Sequence, residues 1–143
     1  MNATSIQPSL NFNLICSLAL VWNFIGVVAY LGQTFMGQQT LLSLSKSEQY
    51  YFSNMPAWVT AVFATAVFSG VFGSIAMLLK KKIAKLLYSI SIVSLLAQQV
   101  YNFLIQDYIM INGMRLILPL STIVIGFFLL WYSKKMSNKG VLN

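Results

Sequence analysis

Gln98, Gln99 and Asn102 put three carboxamides within five residues, and on a helix they share one side. A carboxamide donates and accepts at once, which suits recognition of a neutral hydroxylated solute. Asn23, Tyr30 and Gln33 recur at helical spacing in an earlier segment and are candidates to face the same solute. Each has a plainer alternative: Asn23 reads first as an interhelical hydrogen bond that fixes packing, and some of the later carboxamides could face headgroups instead.

Other chemistry is poorly supplied. The chain has no histidine and two carboxylates, Glu48 and Asp107, both assigned to loops, so general acid–base catalysis has almost nothing to work with. A nucleophile would need a nearby base, and the lysines cluster at segment ends where they are solvated and protonated. One cysteine and no histidine make a poor metal-ligand set. Cys16 reads as a buried, inert thiol, and Asn13-Leu14-Ile15 before it lacks the small residues of a lipidation signal. The expectation is no enzyme, no cofactor and no metal. Proton coupling is also disfavoured, since no carboxylate or histidine falls within an apolar span.

The elements that must position these residues follow from composition. Of 143 residues, 58% are hydrophobic and 8% charged, against roughly a quarter charged in soluble domains. Uncharged stretches of 45, 31, 21 and 18 residues separate the charges, and each holds a helix of about 20 residues, the last barely. The fold expected is all-α, a four-helix transmembrane bundle forming one integral membrane domain over 1–143, with helices near 14–36, 57–79, 83–105 and 116–132. Residues 1–13 are polar and lack the basic region of a secretory signal, so the first helix is expected to be retained.

The net charge of +7 reads as a topology signal, with no nucleic acid as partner. Lys80, Lys81, Lys82 and Lys85 mark the second connection, and Lys134 and Lys135 the C-terminal tail. By the positive-inside bias these and both termini are cytoplasmic, in a bacterial inner membrane, where anionic headgroups are the expected lipid partners. Ser45-Lys46-Ser47-Glu48 has capping-box spacing and opens a short interfacial helix. Pro56 suits the first turn of the second span, and Pro119 should kink the fourth.

Small residues supply the expected packing faces. Ala57, Ala61, Thr65, Ser69 and Gly73 run every fourth position beside Ala66 and Gly70, with Gly26 in the first helix and Gly126 in the fourth; such rows let helices approach closely in lipid. Counting rise per residue puts Asn23, Ser69, Ser91, Ser94 and Thr122 at one depth, and Tyr30, Thr65 and Gln98 at another, so two polar layers are expected inside the bundle. Trp22 is read as a bulk contact with lipid or a neighbour.

Trp22-Asn23 with Gly26 and Tyr30, Pro56-Ala57-Trp58, and Gly70 and Gly73 before the lysine turn resemble a family of small, largely uncharacterised bacterial four-helix membrane proteins, some labelled generically as sugar transporters. Members often carry an acidic residue before the first-helix tyrosine, a position held here by Ala29. The resemblance implies a four-helix membrane fold and solute transport. Three functions are thus expected in turn: a non-enzymatic membrane protein associating through its small-residue faces; a facilitative carrier or permease component for a small neutral polar solute, working as a homodimer; and a regulatory or assembly subunit of another membrane protein.

Overall fold

A computed structural model describes residues 10–143. The described chain is helical without strands: α1 (Leu10–Thr34), α2 (Gln38–Ser43), α3 (Lys46–Ser53), α4 (Ala57–Leu78), α5 (Ile83–Val100), continued by a π-helical turn over Tyr101–Ile105, and α6 (Met114–Asn138). Four helices, α1, α4, α5 with its π turn, and α6, are long and apolar enough to cross a membrane. The N-terminal readings on residues 1–9 lie outside the described residues.

The spans differ from expectation at their ends. The first stops at Thr34, because the chain turns at Phe35 and Gly37 enters α2 in extended conformation, a short helix that hydropathy gives no sign of. The fourth runs to Asn138, well past Tyr132. Hydropathy ends where the lysines begin, but lysine and methionine are good helix formers and the first breaker is Gly140. Helix α6 continues through Pro119. Proline has no N–H, so the Arg115 carbonyl loses its donor four residues on. Pro56 sits one place earlier than expected, as the N-cap of α4.

The packed pairs are α1 with α4, α4 with α5, and α5 with α6. Glycines set the approach. A methyl at Gly26 would lie 3.1 Å from Val67 Cγ1, at Gly73 3.2 Å from the Tyr88 ring, and at Gly126 2.7 Å from Ile92 Cδ1. Ser69 and Gly70 are buried too, whereas Ala61 and Thr65 are exposed. The every-fourth row is inclined to the helix axis, so its first members wind off the face that Gly73 presents.

At the lysine end a core cluster of Phe12, Cys16, Ala19, Met77, Ala84, Tyr88, Leu129, Tyr132 and Met136 closes the bundle. Phe12 and Tyr132 stack across α1 and α6 with ring centroids 6.4 Å apart. Helices α4 and α6 end in the same way. Lys80 N–H donates to Met77 O and Lys81 N–H to Ala76 O; Gly140 N–H donates to Ser137 O and Val141 N–H to Met136 O. Both are Schellman closures with a positive-φ residue: Gly140 at 74° and Lys80 at 56°. Beyond the second, Leu142 is buried and Lys82 N–H donates to Asn143 O at 2.9 Å. The tail thereby joins the α4–α5 turn, bringing Lys80, Lys81, Lys82, Lys85, Lys134 and Lys135 to one end. Lys135 lies 4.7 Å over the Trp131 ring.

Long aliphatic and aromatic side chains cover the outside, among them Leu14, Leu18, Val21, Phe24 and Val28 on α1 and Leu120, Val124 and Phe127 on α6. A belt of that extent is unfavourable in water and matched to hydrocarbon.

Candidate functional site

Away from the lysine end, the four helices enclose a cavity of about 630 Å³, within the range of small-molecule sites. Its walls are mainly apolar, with Ile25, Ala29, Phe63, Val67, Leu95 and Leu118 among them. Five of the six candidate solute-facing residues line it: Asn23, Gln33, Gln98, Gln99 and Asn102. Tyr30 does not; it leans toward α4, where its ring meets Phe63 at 5.6 Å and Phe68 at 5.9 Å, both edge to face. The inward strip of α1 runs through Trp22, Gly26, Ala29 and Gln33, and Tyr30 falls at its α4 border. Trp22, half-buried, forms part of the cavity wall.

The carboxamides are not equivalent. Asn102 accepts from Tyr51 Oη–H at 2.8 Å and donates to Gln99 Oε1 at 3.2 Å. Gln33 donates to Met55 Sδ at 3.2 Å. Gln98 is 9% exposed, and its carboxamide has no hydrogen-bond partner among the described residues. No fully sealed side-chain nitrogen or oxygen lacks a partner among those residues, so the surface that Gln98 keeps is offered to the cavity it lines. The π turn follows at once, with Gln106 N–H reaching back to Tyr101 O at 3.0 Å. Gln106 then donates to Asn102 O and Ile109 O and accepts from Ile109 N–H, each at 3.0 Å. Such π turns are frequent at functional sites.

Asn23 has work of its own. It donates to Ala19 O at 2.8 Å and to Ser74 Oγ at 3.2 Å, and Ser74 Oγ lies 3.0 Å from Tyr88 Oη. This chain ties α1, α4 and α5 together where the core cluster meets the cavity floor. Ser74 carried no sequence signal beyond lying one turn after Gly70. Of the two expected polar layers, Asn23, Ser91 and Thr122 of one and Gln98 of the other line the cavity, while Thr65 is exposed and Tyr30 is not part of its lining. Ser69, Thr65 and Thr122 bond carbonyls of their own helices, the usual refuge of a hydroxyl in a helix, and Ser91 crosses to Ala66 O at 2.7 Å.

Helix α3 covers the other end of the cavity. Its capping box is complete: Ser45 accepts from Glu48 N–H, and Glu48 accepts from Ser45 N–H. The same carboxylate pairs with Arg115 at the start of α6. Hydrogen bonds from Ser45, then the Arg115 charge, hold Glu48 below the ordinary carboxylate range. Tyr51, on the cavity side of α3, is pushed up to about 12 by burial and by Tyr101, so it stays a hydroxyl donor at neutral pH. Sequence spacing gave the capping box but not the Glu48–Arg115 or Tyr51–Asn102 contacts, which span 67 and 51 positions.

Among the described residues no group of three or more His, Cys, Asp or Glu side chains could hold a metal ion. Comparison with protein-family models, curated proteins and solved structures finds no match.

Proposed function

We propose that this multi-pass membrane protein binds a small uncharged solute in the cavity as a facilitative carrier or the binding component of one, without catalysing a reaction. The observation that supports this reading is Gln98. Its nearly buried carboxamide has no hydrogen-bond partner among the described residues and lines the cavity, so its donors and acceptor stand available to a ligand. Gln99, Asn102 and Gln33 line the same space, with no carboxylate inside the spans to select a cation. The lysine end fits a cytoplasmic placement in a bacterial inner membrane. In the described conformation that end is closed by the Phe12–Tyr132 cluster, so transport requires those rings to part.

The test is thermal unfolding of the purified chain in nanodiscs against neutral sugars, polyols, amino acids and monoacylglycerols. A ligand at 100 times its Kd adds about 2.7 kcal/mol of native-state stability. Gln98→Leu removes no protein–protein hydrogen bond, so the variant should fold to the wild-type level and lose the ligand-induced shift. A shift that survives in Gln98→Leu, or no shift with any compound, refutes the proposal.

A further inference from the structure

Three sides of the cavity are accounted for. The floor is the aromatic and aliphatic cluster around Phe12 and Tyr132, and the roof is α3, held through Glu48–Arg115 and Tyr51–Asn102. The α1–α4, α4–α5 and α5–α6 seams are packed, two of them over the glycines at 26 and 126. The remaining flank lies between α1 and α6, which meet through the Phe12–Tyr132 stack and do not form a packed pair. Residues from both helices line the cavity there. Ile25 on α1 and Leu118 on α6 are lining residues that keep 57% and 51% of their surface accessible.

The depth of that flank identifies what it faces. Ile25 lies nine residues before Thr34, roughly 13 Å along the helix, and Thr122 lies eight after Met114, roughly 12 Å. The slot therefore runs from the roof to about the middle of an apolar span and opens among side chains that face hydrocarbon. Its lips are Ile25, Ala29 and Leu118, with the Glu48-paired Arg115 about one turn from Leu118 toward the roof. An opening of that kind is a poor entrance for a free sugar, which would have to shed its water in lipid, and a good one for an alkyl chain. The polar groups within, Gln98 above all, suit an uncharged head bearing hydroxyl, ester or amide groups.

We infer that the occupant of the cavity is an amphipathic lipid with a single chain and an uncharged hydrogen-bonding head, which enters sideways from the bilayer between α1 and α6 and sets its head against Gln98 and Gln99. This rests on the reading of the cavity as a ligand site and names its ligand class and route. The apolar walls take the chain. The charged residues of the lining, Glu48 and Arg115, pair at the roof and sum to zero, so the site offers no net positive charge to a phosphate head.

The experiment uses the full chain in phosphatidylcholine nanodiscs and a spin-labelled monoacylglycerol as the probe, with free glycerol and glucose as competitors. Two variants accompany the wild type: Gln98→Leu at the head site, and Ala29→Trp, which fills the slot from α1. Saturable immobilisation of the probe, weakened tenfold or more by each variant and unaffected by millimolar glycerol or glucose, is the expected result. Ala29→Trp must also unfold at the wild-type temperature; Ile25→Trp is the alternative plug if it does not. Binding of a free polyol that needs Gln98 and ignores both tryptophan plugs overturns the lipid inference and leaves the solute site standing. No binding of any probe by folded protein overturns both, as does a cross-linkable second copy of the chain filling the slot.

Discussion

Gly70 offers the sharpest test of how the bundle is held. A Cβ at this position would lie 2.1 Å from Asn23 Oδ1 and 2.9 Å from Asn23 Cγ. The whole carboxamide must swing away, and it takes with it the donations to Ala19 O and Ser74 Oγ. Overpacking costs about 1–3 kcal/mol, and a side-chain hydrogen bond between membrane helices is worth about 0.6 on average, with a maximum of about 1.7. Against this, alanine in a helix is favoured over glycine by about 1 kcal/mol. The net expectation for Gly70→Ala is a loss of about 2 kcal/mol. In an Asn23→Ala background the nearest remaining atom is Ser91 Oγ at 3.3 Å, a contact that a hydroxyl can relieve by small movement. There the same substitution should be neutral or stabilising, giving a coupling of about 2 kcal/mol between two residues on different helices. Reversible unfolding in mixed micelles of the wild type, both single variants and the double variant measures it. Additive effects, or a neutral Gly70→Ala in the wild-type background, would refute the reasoning. Gly126→Ala is the internal control, because its close contact is the terminal methyl of Ile92, and it should cost less than Gly70→Ala.

Two further predictions follow from single features. Lys80 holds a left-handed conformation at φ 56° in the Schellman closure of α4, a strain of about 1–2 kcal/mol for a residue with a Cβ. Lys80→Gly should raise the unfolding midpoint, as its counterpart Gly140 already suits the closure of α6; a lower midpoint would mean that the lysine side chain is held by contacts worth more than the strain. Tyr51 is raised from 10.0 to about 12 in the fold, so its contribution is fully present below pH 10 and is lost as pH climbs toward 12. The excess stability of the wild type over Tyr51→Phe should therefore shrink across that window, and a difference that is constant with pH would count against the burial of the Tyr51 hydroxyl beside Tyr101.

What was legible in the sequence is what depends on one segment at a time. The four spans and the Ser45–Glu48 box each follow from local spacing, because a helix in lipid must satisfy its own backbone and its side chains repeat with its turn. The carboxamides at 98, 99 and 102 reached the cavity for the same reason. Ala61 and Tyr30 went elsewhere because membership of a row does not fix which neighbour the row meets. An every-fourth row slants around the helix, and a difference of a few tens of degrees separates the cavity wall from the α1–α4 seam.

The cavity itself could not be read that way, since it is a property of the distance between α1 and α6. In water, two such apolar faces would close on each other to escape solvent. In a bilayer that drive is absent, and helices pack only where small residues or polar bonds make the approach favourable. Helix α1 spends its close-approach residues on α4: Gly26 against Val67, and Asn23 against Gly70. Helix α6 spends Gly126 on α5, against Ile92. Neither keeps a glycine for the other along the lips, where Ile25, Ala29 and Leu118 stand. The gap between them is thus the consequence of where glycine occurs, and bulky residues at its edge are what leave room for a guest.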